Sequence, residues 1–339
     1  MSKKRIKNLI IASILLVILL LITGGLELAK QKIEAKHTEQ KVGKEYGQTV
    51  PYTLISFMQG SQSFQKEQLL YYNRNVAKEL DKASISSENE DARLYLYSFY
   101  AEEKETLSYD KSFVNSKVKV IGGDYFLFHK PKLLSGSYLL DNGNFSNYIV
   151  LDELCAWKLF GSFNVTGKEV KLGESRYYVC GVIARNDKNN LWLRLNGETP
   201  VAYVLHDSPE YLKNTIDYSN YELLLPNPVE GFAKGIAEQI IPQVDGENEI
   251  IDHSNLFSYK TLLKKAVSLN ELAMQQKNYS YTPEENLIAV SQMKASFVVL
   301  FELIFLILSF IDFWVIIGIC WKPLFTQIDR VIAAIKKKL

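Results

Sequence analysis

The sequence predicts a two-pass membrane protein of the α+β class, whose large extracytoplasmic domain combines a split β-α-β half with an inserted β-rich subdomain. Three observations predict it: an apolar run near each end of the chain, two β-α-β patterns far apart in sequence, and a strand- and turn-rich stretch between them. The chain has 339 residues, 47% of them apolar, enough for one or two packed cores, so where the apolar residues sit says more than their number.

Residues 1–8 carry Lys3, Lys4, Arg5 and Lys7 and no acid, and residues 9–22 then hold only Ser13 as a polar side chain. A bilayer core of ~30 Å takes about 20 helical residues, so Thr23, Gly24, Gly25 and Leu26 complete a first span over 9–26. A basic stretch before a short apolar run also admits a cleaved signal peptide. No A-x-A-like site follows, and residues 26–41 continue as Lys, Glu, Gln and Ala without small-residue punctuation. An uncleaved anchor continuing into a helical stalk is therefore expected.

The extracytoplasmic domain is expected over 27–295. Residues 50–57 are β-rich, 64–80 place Leu69, Val76 and Leu80 near one helical face, and 93–100 alternate with Leu94 and Leu96 on one side. The same order returns late in the chain. Residues 221–225 read as a strand, Asn227 and Pro228 suit an N-cap and a first turn, Phe232, Ile236 and Ile240 recur every four residues, and 249–252 read as a strand. The two units can pair into one layer with helices on one face. Between them an insert over about 118–205 is expected to hold a strand at 148–151, a short helix at 152–160 and a hairpin of 169–172 with 175–183 across Gly173 and Glu174. A second stalk helix over 259–276 precedes Pro283, which opens the helix leading into the second span, 296–321.

That second span contains Glu302 and Asp312, and the tail over 322–339 carries Lys322, Arg330, Lys336, Lys337 and Lys338 against Asp329. Basic flanks at both ends place both termini in the cytoplasm. The exported remainder is mildly acidic and offers no electrostatic footprint for nucleic acid. Intramembrane carboxylates are costly in lipid and face protein or water, so Glu302 and Asp312, about 80° apart around a helix, are expected to contact a partner helix, with a proton or ion path, or for Glu302 a place near the outer interface, as the alternatives. In the tail, Leu324, Ile328, Val331, Ile332 and Ile335 recur at helical spacing with basic residues on other sides. This pattern fits either a helix lying on anionic lipid or a coupling helix docked on a partner.

Candidate chemistry is sparse. His37, His129, His206 and His253 are scattered, with no metal-ligand or HExxH spacing, so neither a metal nor a cofactor is expected, although distant residues can still assemble a hydrolytic triad in space. The stretch from Gly161 to Glu169 has five residues between its glycines rather than four and Glu169 where a phosphate loop needs Ser or Thr, so it reads as a helix stop and turn. The acidic clusters at 88–91 and 245–249 match no calcium loop and read as solvated surface. Cys155 and Cys180 could bridge, but both lie in apolar patterns and are expected as buried thiols.

One ordered set of motifs carries a resemblance: Gly122-Gly-Asp-Tyr-Phe126, Leu133-Leu-Ser-Gly136, Ile149-Val-Leu-Asp-Glu-Leu-Cys-Ala-Trp-Lys-Leu-Phe-Gly161, Thr166-Gly-Lys168 and Tyr178-Val-Cys-Gly-Val-Ile183. This set resembles the extracytoplasmic core domain of MacB-type ABC transporter permeases. The resemblance implies a porter-like α+β half interrupted by a smaller β-rich subdomain, strung between two membrane helices. It further implies transport or mechanotransmission driven by cytoplasmic ATP hydrolysis. The family's permease has four membrane helices, whereas two are read here and no ATPase domain is. The implied partners are therefore an ABC ATPase subunit, an additional permease subunit, or both, in the lipid bilayer. A stand-alone module that binds or senses an envelope peptide or lipid, and an anchored envelope hydrolase, are the alternatives.

Overall fold

The computed structural model describes residues 3–35, 50–59, 63–85, 93–185, 199–212, 216–242, 248–268 and 283–336, together with Gly43 and Tyr46. In chain order the elements are α1 (Lys3–Glu34), β1 (Tyr52–Gln59), α2 (Lys66–Lys82), β2 (Leu96–Tyr109), β3 (Ser112–Gly123) and α3 (Tyr125–His129). There follow β4 (Leu133–Gly136), β5 (Tyr148–Asp152), α4 (Glu153–Phe160), β6 (Glu169–Leu172), β7 (Ser175–Ile183) and β8 (Val201–Leu205). The last are β9 (Asn220–Pro226), α5 (Phe232–Ile240), β10 (Asn248–Asp252), α6 (Tyr259–Val267) and α7 (Pro283–Lys336). They form two compact units: a helix unit of residues 1–36, 257–273 and 290–339, and a sheet unit of 37–256 and 274–289.

In the sheet unit the two β-α-β patterns join in one layer, as expected, and their strands interleave. The strands run β10-β1-β9-β2, every neighbour antiparallel, so each unit supplies alternate strands of one layer. Ile55 and Phe57 of β1 and Tyr221, Leu223 and Leu225 of β9 share one buried cluster with Leu69, Val76 and Leu80 of α2 and Ala233, Ile236 and Ile240 of α5. Both helices thus cover the same face. The three α2 side chains are fully buried, each worth roughly 1.5–3 kcal/mol of transfer free energy. The start of α5 differs from expectation: Gly231, at φ +83°, is the N-cap, because the chain turns there rather than at Pro228. Asn227 still serves the helix, since its Oδ1 accepts from the Ala233 N–H at 3.1 Å.

The insert grows directly out of this layer. Strand β2 runs on to Tyr109, well past the expected end, and pairs with β3 from Ser98 to Tyr109. From the β2–β3 pairing the ladder passes β3 to β8, β8 to β5, β5 to β7, β7 to β6, and β6 back to β2 at Leu107 and Ser108. The insert is therefore a small closed barrel that shares β2 with the split half, and closure leaves those strands without free edges. Val118, Val120, Ile149, Leu151, Leu172, Val179 and Val204 belong to the same cluster as the helix-covered face, joined by Cys155, Ala156 and Leu159 of α4. The hairpin of β6 with β7 has the expected bounds, with Gly173 at φ +59° in its turn.

In the helix unit, α1 and the segment Glu285–Trp321 of α7 are each long and apolar enough to cross a membrane. The buried positions of α1 are Ala12, Leu19, Thr23 and Lys30, spaced seven, four and seven. On α7 within this unit they include Ala295, Val299, Glu302, Ser309 and Asp312, again in steps of three, four and seven. Such spacings keep the buried positions of each helix along one narrow stripe. Elsewhere both helices expose large apolar side chains, among them Ile11, Ile14, Leu21, Phe301, Ile307, Phe310 and Trp314, the surface a hydrocarbon solvent requires.

Candidate functional site

The polar residues of the helix unit gather where its helices approach the outer end of the expected spans. Glu27 lies one position beyond the first span, and Glu302 six positions inside the second. Ser258 caps α6, its Oγ accepting from the Thr261 N–H, and so sets Tyr259 at the first turn. The Tyr259 hydroxyl donates to Glu27 and lies 3.4 Å from both carboxylate oxygens of Glu302. The Lys30 ammonium sits 3.9 Å from the centroid of the Tyr259 ring, a cation–π contact that places a positive charge beside two carboxylates. Burial first, then the Glu27 hydrogen bond and the Glu302 charge, push the Tyr259 phenol well above its ordinary pKa, so it remains a donor. Six residues further along α6, Lys265 donates to Gln292 Oε1 at 2.5 Å.

Glu302 thus has a donor within its own chain. Sequence reasoning missed this role of Tyr259 and read the segment as stalk; the available signal was an aromatic hydroxyl at a capped helix start in a chain with carboxylates at both outer span ends. Asp312 differs. It is 8% exposed, and its Oδ2 is buried without a hydrogen-bond donor among the described residues. The apolar stretch of α1 over 9–22 holds only Ser13 as a polar side chain. Leu324, Ile328, Val331, Ile332 and Ile335 fall on α7, which continues as helix to Lys336, but their side chains lie outside the described residues.

In the sheet unit the histidines that looked scattered are each matched to a carboxylate. His129 lies 3.2 Å from Glu222, His206 lies 3.3 Å from Asp141, and His253 lies 3.0 Å from Glu285; His37 is outside the described residues. Each pair ties together elements remote in sequence. Burial would raise the Asp141 carboxyl, but His206, the Gly123 N–H and Lys66 together hold it below its usual range. The assembly nearest to a hydrolytic triad is Ser56, His253 and Glu285, with Ser56 Oγ 2.9 Å from His253 Nε2. Glu285 approaches that same Nε2 atom, whereas a relay needs serine and acid on opposite ring nitrogens. All three residues are buried, at 0%, 3% and 5% exposure, which suits a packed pin rather than a site reached by substrate. No group of three or more His, Cys, Asp and Glu side chains among the described residues could hold a metal ion.

The motifs that carry the resemblance prove to be positions of tight backbone geometry. Gly122 lies so close to Phe99 that a Cβ there would be 2.1 Å from the ring, and the next N–H, of Gly123, donates to Asp141 Oδ2 at 2.7 Å. Gly136, at φ +75°, pairs with Gly181 across β4 and β7. Asp152 caps α4, its Oδ1 accepting from the Cys155 N–H at 2.6 Å, and Gly161, at φ +67°, ends that helix. Gly167 lies in the turn into β6, so the stretch that superficially resembles a phosphate loop is a helix stop and turn. Cys155 and Cys180 are both buried free thiols; burial pushes Cys180 up to about 12 and Cys155 further still. The acidic cluster at 88–91, and residues 245–247 of the other, lie outside the described residues.

Asp152 also offers a test of the buried electrostatics. Burial outweighs both the Cys155 N–H and the Arg185 guanidinium 3.5 Å away, and pushes its carboxyl up to about 6. A folded-state pKa above the unfolded one favours folding fully below the unfolded value of about 4, and that contribution is lost as pH rises through about 6. Asn keeps the cap without the charge. The stability of Asp152→Asn relative to the parent should therefore rise by roughly 2–3 kcal/mol between pH 4 and pH 7, read from paired denaturation curves. A difference independent of pH would show that folding leaves the pKa of this carboxyl unchanged.

No family model and no curated protein matches the sequence. Among solved structures, the chain is similar to the extracellular domain of the noncanonic ABC-type transporter YknZ from Gram-positive bacteria, at 16% identity and a TM-score of 0.41, covering 59% of this chain and 99% of that one. It is similar to the periplasmic region of MacB from Actinobacillus actinomycetemcomitans at 14% identity and a TM-score of 0.42, covering 60% of this chain and 90% of that one. A domain of a putative permease protein from Porphyromonas gingivalis is 15% identical with a TM-score of 0.33, covering 59% of this chain and 88% of that one.

Proposed function

We propose that this chain is a non-catalytic membrane subunit of a MacB-like ABC-type transport or mechanotransmission complex, with both termini in the cytoplasm and the sheet unit outside, where it engages substrate or a partner. The observation that carries this reading is the ordered motif set over 122–183, which falls on the barrel inserted in a split β-α-β half, with an apolar helix at each end of the chain. Two surfaces serve partners. Glu302 and Asp312 contact a further membrane helix, and the face of α7 bearing Leu324, Ile328, Val331, Ile332 and Ile335 docks on an ABC ATPase subunit, because force must enter just beyond the second span.

Co-purification from native membranes tests the reading directly. An ATPase or permease subunit should be recovered with the chain, and Ile328→Ser with Ile332→Ser should abolish recovery of the ATPase while the sheet unit stays folded. If the tail merely lies on lipid, those substitutions leave the complex intact. Retention of the ATPase after deletion of 324–339 would rule out the coupling role, and a chain recovered without any ATPase or permease would sink the subunit reading.

A further inference from the structure

Helix α6 has the sequence Tyr-Lys-Thr-Leu-Leu-Lys-Lys-Ala-Val, three lysines and no acid. Its contacts set its direction along α7: Tyr259 reaches Glu302, and Lys265 reaches Gln292 ten positions earlier, so the ~9 Å of α6 between them runs antiparallel to α7 and the two long side chains span the rest of the ~15 Å. Gln292 lies four residues, ~6 Å, beyond the expected edge of the second span at Ser296, which is the depth of the headgroup layer, about 5–8 Å per leaflet. Lys264 shares that level, and Lys260 lies about 6 Å lower, at the edge of the hydrocarbon, where a lysine extends its ammonium toward water. Both are exposed, and neither has an ion-pair partner among the described residues.

Two further exposed lysines complete a collar within the same unit. Lys294 stands two positions outside the second span, and Lys32 six positions outside the first. Leu262 and Ala266 bury the opposite side of α6, so the basic side faces outward. Such an accumulation runs against the usual bias, which gathers Lys and Arg on the side of the tails. The repulsion within the collar is offset where it meets a surface of opposite charge at the same depth, and at this depth that surface is a layer of lipid phosphates.

We propose that α6, with Lys32 and Lys294, is a binding site for anionic lipid headgroups in the leaflet opposite the termini. The site rests on the membrane-spanning reading of α1 and α7 and not on any partner subunit. Near an anionic surface each lysine raises association roughly fivefold. The full chain reconstituted in vesicles of phosphatidylcholine with phosphatidylglycerol should therefore select spin-labelled phosphatidylglycerol over spin-labelled phosphatidylcholine by electron paramagnetic resonance, more weakly as salt rises. Lys260→Ser with Lys264→Ser should lower that selectivity about tenfold or more. Lys260→Arg with Lys264→Arg should preserve it. The comparison with the parent chain removes the contribution of the basic tail, and circular dichroism checks that the exposed positions do not support folding. Unchanged selectivity in the Ser variant overturns the site, as does equal loss in the Arg variant. Displacement of the labelled lipid by inorganic phosphate at the same ionic strength would assign the collar to soluble anions and overturn the lipid reading. No partner subunit is present in these vesicles, so failure here is distinguishable from failure of the complex.

Discussion

Gly136→Ala is expected to destabilise the sheet unit by roughly 3 kcal/mol or more, enough to lower its unfolding midpoint by several degrees. Two costs add at this position. The backbone is at φ +75°, where a Cβ costs about 1–2 kcal/mol. The added carbon would also lie 2.0 Å from the Cys180 carbonyl oxygen and 2.9 Å from the Gly181 Cα, both main-chain atoms that cannot rotate away. That carbonyl accepts the Ser137 N–H at 2.8 Å, so relief by moving β7 would break the β4 pairing. Gly143→Ala separates the two costs, because Gly143 is at φ +77° with nothing within 4 Å of an added Cβ. It should cost only the conformational part, about 1–2 kcal/mol. Thermal or denaturant unfolding of the two variants beside the parent measures the difference. Equal effects would mean that β4 and β7 part without penalty.

That contrast also shows what in the sequence was readable. The resemblance motifs marked positions such as Gly122, Gly136 and Gly181, where backbone approaches backbone or an aromatic ring and only glycine fits. The α2 face and the β6–β7 hairpin were legible because burial there follows a strict period, with Leu69, Val76 and Leu80 on one stripe of the helix. Strand β3 is not separated from its surroundings by pattern, because Ser116 interrupts the apolar face of Val114, Val118 and Val120, and a lysine, Lys119, is buried on the opposite face. Lys119 is accommodated by Glu102 at 3.6 Å and by the Tyr100 ring at 4.3 Å, partners that exist only once β2 and β3 have paired. Barrel closure was equally hidden, since it depends on two residues of β6 meeting the far end of β2. The same holds for the His–carboxylate pairs and for Tyr259 with Glu27 and Glu302: each joins positions whose proximity no local pattern encodes.

Within the bilayer, Asp312→Asn is expected to weaken association with a partner helix more than Glu302→Gln does. Both carboxylates lie on the buried stripe of α7, at 8% exposure each, yet their surroundings differ. Glu302 shares the Tyr259 hydroxyl, and a glutamine at that position can still accept from it, so the contact with α6 survives the change. Asp312 has no donor for Oδ2 among the described residues, and the facing apolar stretch of α1 offers only Ser13. An unsatisfied carboxylate oxygen in hydrocarbon is costly, so under the proposed function its donor comes from a further helix lying along the seam of α1 and α7. An asparagine at that position still accepts through its Oδ1 but loses the charge-assisted part of the bond, about 1 kcal/mol, which puts the loss for Asp312→Asn at roughly fivefold in the association constant. Recovery of the partner from detergent-solubilised membranes, normalised to the amount of this chain, reads the effect, and the circular dichroism of each variant checks the fold. A larger loss for Glu302→Gln would move the contact to the outer end of the span, and unchanged recovery for both would remove these carboxylates from the interface.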